Sequence, residues 1–122
     1  MMNDEQRSSD HAQDLRERTK EFALRIVRLY SALPKTAEAQ VIGRQLLRCG
    51  TSVGAQYREA ARARSAAEFI SKMESTLQEL DECGYWLELL GAANIIAPAR
   101  LFELAGEANE LTAIFVASVK TA

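Results

Sequence analysis

Four arginines in one stretch of chain, Arg44, Arg48, Arg58 and Arg62, are the side chains best suited to recognition chemistry. A guanidinium donates two parallel hydrogen bonds to a phosphate or a carboxylate. At about 100° per residue, with Arg44 at zero, Arg48 falls near 40°, Arg58 near 320° and Arg62 near 0°. The apolar stripe of the same segment centres at roughly 190°, so the four form a ridge pointing away from the core. Three readings of that ridge stay open: a solvated face, a grip on nucleic-acid backbone, or a subunit or partner interface. Further along, Glu79, Glu82 and Trp86 share a flank between about 220° and 280° from Phe69, off an apolar stripe near 20°. Aromatic residues and arginines dominate contact hot spots. Trp86 beside acids therefore reads either as an oligomer-interface anchor or as a residue at the seam between helices.

Catalysis lacks its usual parts. The only histidine, His11, falls in a presumed arm at the start of the chain, so no histidine base or ligand stands inside a folded domain. A helical bundle commonly builds a dimetal centre from inward-facing Glu and Glu-x-x-His pairs. Glu79 and Glu82 lack the imidazole partners for one. There is no phosphate loop, dinucleotide fingerprint, nucleophile elbow or Cys-x-x-Cys pair, and Ser52 is a lone serine within a helical pattern. The sequence predicts no enzyme, no catalytic residue, no metal and no cofactor. Cys49 and Cys83 lie far apart in helical patterns and read as buried free thiols in a reducing compartment, with a disulfide as the less favoured reading.

The elements that must position these residues are helices. Residues 1–13 carry no apolar periodicity and read as a flexible N-terminal arm, with one domain over 14–122. Leu15, Phe22, Ile26, Leu29 and Leu33 mark a first helical face that Pro34 ends. Thr36 can cap a second helix running to about Arg64, with Ile42, Leu46, Cys49, Val53, Tyr57 and Ala60 inward. Ser65 and Glu68 have capping-box spacing ahead of Phe69, Met73, Leu77, Leu80, Gly84 and Leu87, with Gly91 as a stop. Pro98 opens a fourth helix through Leu101, Leu104, Ala108, Leu111, Phe115 and Val119. Four amphipathic helices with short connections predict an all-α, antiparallel up-and-down four-helix bundle. Gly50 and Gly54 interrupt the second helix. They suggest a neighbouring backbone approaching more closely than alanine permits, or alternatively a hinge.

The net charge of −2 gives no bulk attraction to nucleic acid or to anionic membranes. Its distribution is uneven. The first helix carries five basic and three acidic residues (+2), and residues 35–64 carry six and two (+4). Residues 65–91 reverse the sign with one basic and six acidic residues (−5). A basic face on one helix and an acidic face on the next favour a head-to-tail contact, which closes into a ring when its rotation permits. The polar start and the lack of a bilayer-length apolar run predict a cytoplasmic protein with no membrane association.

Residues 51–90 carry a recognisable pattern: Ser52-Val53-Gly54-Ala55, then Tyr57-Arg58-Glu59-Ala60, Glu68-Phe69-Ile70, and Glu79 and Glu82 leading into Tyr85-Trp86-Leu87. With VIGRQLLRCG upstream, this resembles the 23S rRNA intervening-sequence protein family, and the likeness covers nearly all of the chain after the arm. Gln56 departs from the asparagine that members commonly place there. The resemblance implies an up-and-down bundle, a homo-oligomeric ring favouring a pentamer, and no enzymatic activity. It also implies a distant relation to the accessory variability determinant of diversity-generating retroelements, which binds nucleic acid. The resemblance leaves RNA or DNA and a protein partner as candidate ligands of the arginine ridge, beside the reading of a solvated face.

Overall fold

The computed structural model describes the backbone of residues 4–122, with side chains at Ala12 and from Asp14 onward. Four helices follow in order: α1 (Asp4–Ser31), α2 (Ala37–Ala61), α3 (Ala66–Ala92) and α4 (Pro98–Lys120). Among the described residues there is no strand. The predicted all-α, up-and-down four-helix bundle is the fold observed. Sequential helices pack side by side through short connections, while α1 and α4 touch only sparingly.

Local chemistry sets the helix ends. The Thr36 hydroxyl accepts from the Ala39 amide at 3.3 Å, and the Ser65 hydroxyl accepts from the Glu68 amide at 3.1 Å. The Glu68 carboxylate reaches back past the cap to the Arg64 amide at 3.5 Å. Pro98 occupies the first turn of α4, where its missing N–H is not needed.

Three boundaries differ from expectation: α2 ends at Ala61, with Arg62 as its C-cap, short of the expected Arg64, and the other two concern α3 and α1. α3 runs through Gly91 and stops at Asn94, which adopts φ of 58°. The Asn94 amide donates to the Gly91 carbonyl at 3.1 Å and the Ile95 amide to the Leu90 carbonyl at 3.0 Å. This pair of bonds is a Schellman closure, in which asparagine tolerates the left-handed region nearly as well as glycine. α1 begins at Asp4, not near residue 14, because charged and amide side chains propagate a helix once its apolar half has nucleated it. The expected arm is thus helical from Asp4, residues 1–3 lie outside the described residues, and so does the side chain of His11.

The core collects Phe22 and Ile26 from α1, Leu46 and Val53 from α2, Met73, Leu80 and Leu90 from α3, and Leu111 and Phe115 from α4. Tyr57 stacks on Phe115 with ring centroids 5.4 Å apart. Its hydroxyl donates to the Ala12 carbonyl at 3.4 Å, tying the upstream turns of α1 to the bundle. Thr19 and Thr76 are buried, and each hydroxyl donates to the carbonyl four residues back, to Leu15 at 2.8 Å and Lys72 at 2.9 Å. Ile42 and Leu29 are half-buried at the edge of the core.

The buried stripe of α3 is rotated from the predicted one. Thr76, Cys83 and Leu90 face inward where Leu77 and Gly84 were expected; Leu77 is half-buried and Gly84 is exposed. The close approach predicted at the glycines of α2 is present, but mainly through side chains. A Cβ on Gly50 would run into Ile26 of α1, and one on Gly54 would lie 3.2 Å from Thr19 Oγ1 and 3.6 Å from the Thr19 carbonyl carbon.

Candidate functional site

The ridge divides because α2 has two neighbours. Gly43, Gly50 and Gly54 fix the side facing α1, and Cys49 meets Cys83 on the side facing α3. Arg48 lies on the α3 flank. Its guanidinium donates to Glu82 Oε2 at 2.5 Å and to Glu79 Oε2 at 3.4 Å. Arg58 lies on the opposite flank, beside Thr19, Lys20 and Ala23 of α1. Arg44 is exposed on α2, and Arg62 lies just past the helix as its C-cap, so the expected single helical ridge of four is corrected: one arginine leans to each flank and one leaves the helix.

Three residues predicted for separate surfaces, Arg48, Glu79 and Glu82, thus form one cluster within a single chain. The hydrogen bond to Glu82, assisted by the charge of Glu79, raises the Arg48 pKa further above its ordinary value. Arg48 and Glu82 remain about half exposed, so the cluster is a solvent-screened ion pair. One guanidinium thus engages both carboxylates and leaves the cluster with a net charge of −1. Among the described residues no group of three or more metal-ligating side chains comes together. The Ser52 hydroxyl donates to the Arg48 carbonyl at 2.8 Å, leaving no base beside it.

Arg44, Arg58 and Arg62 make no ion pair among the described residues. Arg58, Arg62, Arg64 and Lys72, together with Glu59 and Glu68, line an open cleft where α2 turns into α3. Lys72 pairs with Glu59 at 3.1 Å, so the cleft keeps a surplus of guanidinium groups.

Trp86 is half-buried against the core, meeting the Tyr85 ring edge-on at a centroid distance of 4.9 Å. Its indole Nε1 is buried and has no hydrogen-bond partner among the described residues. Tyr85 points outward and is 54% exposed, so the free aromatic surface on this flank belongs to Tyr85 more than to Trp86.

Two features escaped the sequence reading. Arg18 of α1 clamps α4 by donating to Glu107 from Nε at 3.2 Å and from a terminal nitrogen at 2.6 Å; the same terminal nitrogen reaches Glu110 at 3.3 Å. The spacing of Arg18 and Arg25 by seven, against Glu103, Glu107 and Glu110, was the available signal. The second is an apolar groove of about 430 Å³ between α3 and α4, lined by Gly84, Leu87, Gly91, Pro98 and Leu101. Phe102 stands at its edge, 78% exposed. No helix among the described residues is long and apolar enough to cross a membrane.

Comparison with known proteins follows this geometry. The family model described as 23S rRNA-intervening sequence protein matches residues 12–117. A crystal structure of a protein with unknown function from the S23 ribosomal protein family of Bacteroides thetaiotaomicron VPI-5482 superposes with a TM-score of 0.81. It is 37% identical, over 87% of this chain and 98% of that one. No curated protein matches the chain.

Proposed function

The chain belongs to the 23S rRNA-intervening sequence protein family, and from that premise we propose that it is a non-enzymatic, oligomeric accessory of the cytoplasm that holds nucleic-acid backbone on the basic face of α2. The observation that carries this reading is the set of guanidinium groups with no ion pair among the described residues, Arg44, Arg58 and Arg62, with Arg64 near the last two, in a chain whose net charge is negative. Arginines gathered on α2 and the turn after it in an acidic protein suit an anionic partner, because their local field survives the opposing charge elsewhere. The family description refers to where members are encoded; the argument for binding rests on the arginines.

Changing Arg44, Arg48, Arg58 and Arg62 together to Gln is expected to abolish retention of structured RNA or duplex in a gel shift at low salt, with helicity unchanged. Phosphate contacts release counterions, so the parent's affinity should fall steeply as salt rises. A parent protein that shifts no RNA, single strand or duplex at low salt sinks the nucleic-acid reading.

A second reading, a protein-interaction scaffold, is favoured by the exposed aromatics Phe102 and Tyr85 on the acidic half of the molecule. Residues 1–64 carry twelve basic and eight acidic residues, with the excess on α2 and the loops that flank it, and a head-to-tail contact between unlike halves supports a closed homo-oligomer, with a pentamer favoured by the family resemblance. Exposed ion pairs contribute only about 0 to 1 kcal/mol each, so apolar groups must supply most of the affinity. Light scattering at tens of micromolar is expected to give a multiple of the chain mass. A monomer would remove the ring. An assembly that survives Trp86→Ala and Glu82→Lys would place its interface elsewhere, with Phe102 the next residue to change.

A further inference from the structure

Cys49 of α2 and Cys83 of α3 meet in the core with their sulfur atoms 3.2 Å apart, both free and neither exposed to solvent. The Cys83 thiol is placed to donate to Cys49 Sγ, and the Cys49 thiol lies 3.4 Å from the Leu46 carbonyl oxygen. No third metal-ligating side chain joins them among the described residues. A disulfide needs sulfurs about 2.05 Å apart, so the pair must close by only about 1 Å, from two helices already packed side by side.

We propose that Cys49 and Cys83 form an oxidative modification site, a buried dithiol that hydrogen peroxide converts into an intrachain disulfide tying α2 to α3. Cys49 is the first to react. The hydrogen bond from Cys83, followed by the charge of Arg48, holds its thiol below the usual cysteine range despite burial, whereas the same hydrogen bond and burial push Cys83 upward. The Cys49 thiolate takes one peroxide oxygen, the O–O bond breaks, and the hydroxide released combines with the proton that Cys49 gave up. Cys83 sulfur then attacks Cys49 sulfur, the S–O bond breaks, and the departing hydroxide takes the Cys83 proton. Two thiols and one peroxide yield one disulfide and two waters, with two electrons passing from sulfur to oxygen.

Burial governs the rate of this step, since the peroxide must enter through transient opening of the α2–α3 contact. The cross-link lies beneath the surface cluster described above, because Arg48 adjoins Cys49 and Glu82 adjoins Cys83 in the chain. Oxidation would therefore fix the α2–α3 spacing on which that cluster depends. The inference goes beyond the proposed function and holds whether or not nucleic acid binds.

The test treats the full, folded chain with hydrogen peroxide, denatures it, alkylates any remaining thiol and measures the intact mass. The expected product has lost two hydrogens, resists alkylation at both cysteines, and yields one proteolytic fragment joining the Cys49 and Cys83 segments. Dithiothreitol should reverse it, and the oxidised protein should melt roughly 10 °C above the reduced one, because the bond closes a long loop in the unfolded chain. In Cys83→Ala, where Cys49 loses the hydrogen bond that activates it, Cys49 should oxidise more slowly and stall as a sulfenic acid that dimedone captures. Both thiols alkylating in full after exposure that oxidises the denatured chain would overturn the proposal. So would bridges between chains, or sulfinic acid on either cysteine of the native protein. The mass of the unsubstituted chain is decisive, so the outcome does not depend on whether the variant folds.

Discussion

Val53→Asp is expected to lower stability by about 4 kcal/mol or more, a large fraction of the roughly 5 to 15 kcal/mol that holds a domain folded. Val53 has no exposed surface, and it lies on α2 between two glycines that hold α1 close. A carboxylate there would have neither water nor a cation within the core, and an isolated buried charge is among the most destabilising changes a fold can suffer. The neighbouring buried side chains, Leu46, Cys49 and Tyr57, offer no cationic partner. Val41→Asp is the matched control: the same substitution on the same helix, at a site 59% exposed, should change stability by no more than about 0.5 kcal/mol. Thermal melts followed by circular dichroism read both. Native-like melting of Val53→Asp would mean that α2 presents a different face to the core.

Much of the fold was legible because it is fixed by local chemistry. Thr36, Ser65 and Pro98 mark helix starts through hydrogen bonds or φ preferences that act within four residues. The stop of α3 was misread because both Gly91 and Asn94 can end a helix, and the choice fell to the residue that let Ile95 and Ile96 fold back onto the Leu90 carbonyl. The phase of α3 was harder to read for a related reason. Leu77, Leu80, Trp86, Leu87, Leu89 and Leu90 spread apolar surface around much of the helix, so periodicity alone does not distinguish the stripe through Cys83 from the one through Gly84.

The site was less legible because arginine side chains are long and their partners are tertiary. The helical angles placed Arg48 and Arg58 some 40° to either side of Arg44. Which carboxylates lay within reach depended on the positions of α1 and α3, which no spacing within α2 encodes. The same holds for the Arg18 clamp on Glu107 and for the meeting of Cys49 with Cys83, both formed between residues distant in sequence. Of the residues expected at an interface, Glu79 and Glu82 hold Arg48 of their own chain and Trp86 is half-buried, while Tyr85 and Phe102 carry the exposed aromatic surface.

Alanine should have opposite effects at two helical glycines. Gly84→Ala is expected to stabilise the protein by about 0.5 to 1 kcal/mol, since no atom lies within 4 Å of the new methyl and alanine loses less backbone entropy on folding. Gly50→Ala makes the same entropic gain but should destabilise by a net ~1 to 2 kcal/mol. Its methyl would overlap Ile26 Cδ1 and lie 3.1 and 3.3 Å from Ile26 Cγ2 and Cγ1. Ile26 has no exposed surface and cannot swing outward, so relief requires α1 to move away from α2, and overpacking of that kind costs about 1 to 3 kcal/mol. Denaturant midpoints at constant slope measure both changes. Ile26→Val removes the most crowded atom, so in the Gly50→Ala background it should restore part of the loss, although on its own it costs about 0.5 to 1.5 kcal/mol by leaving a gap. The double-mutant cycle then reports a favourable coupling between positions 26 and 50. If Gly50→Ala stabilised the chain as Gly84→Ala does, the α1–α2 contact would have to be looser than the one described.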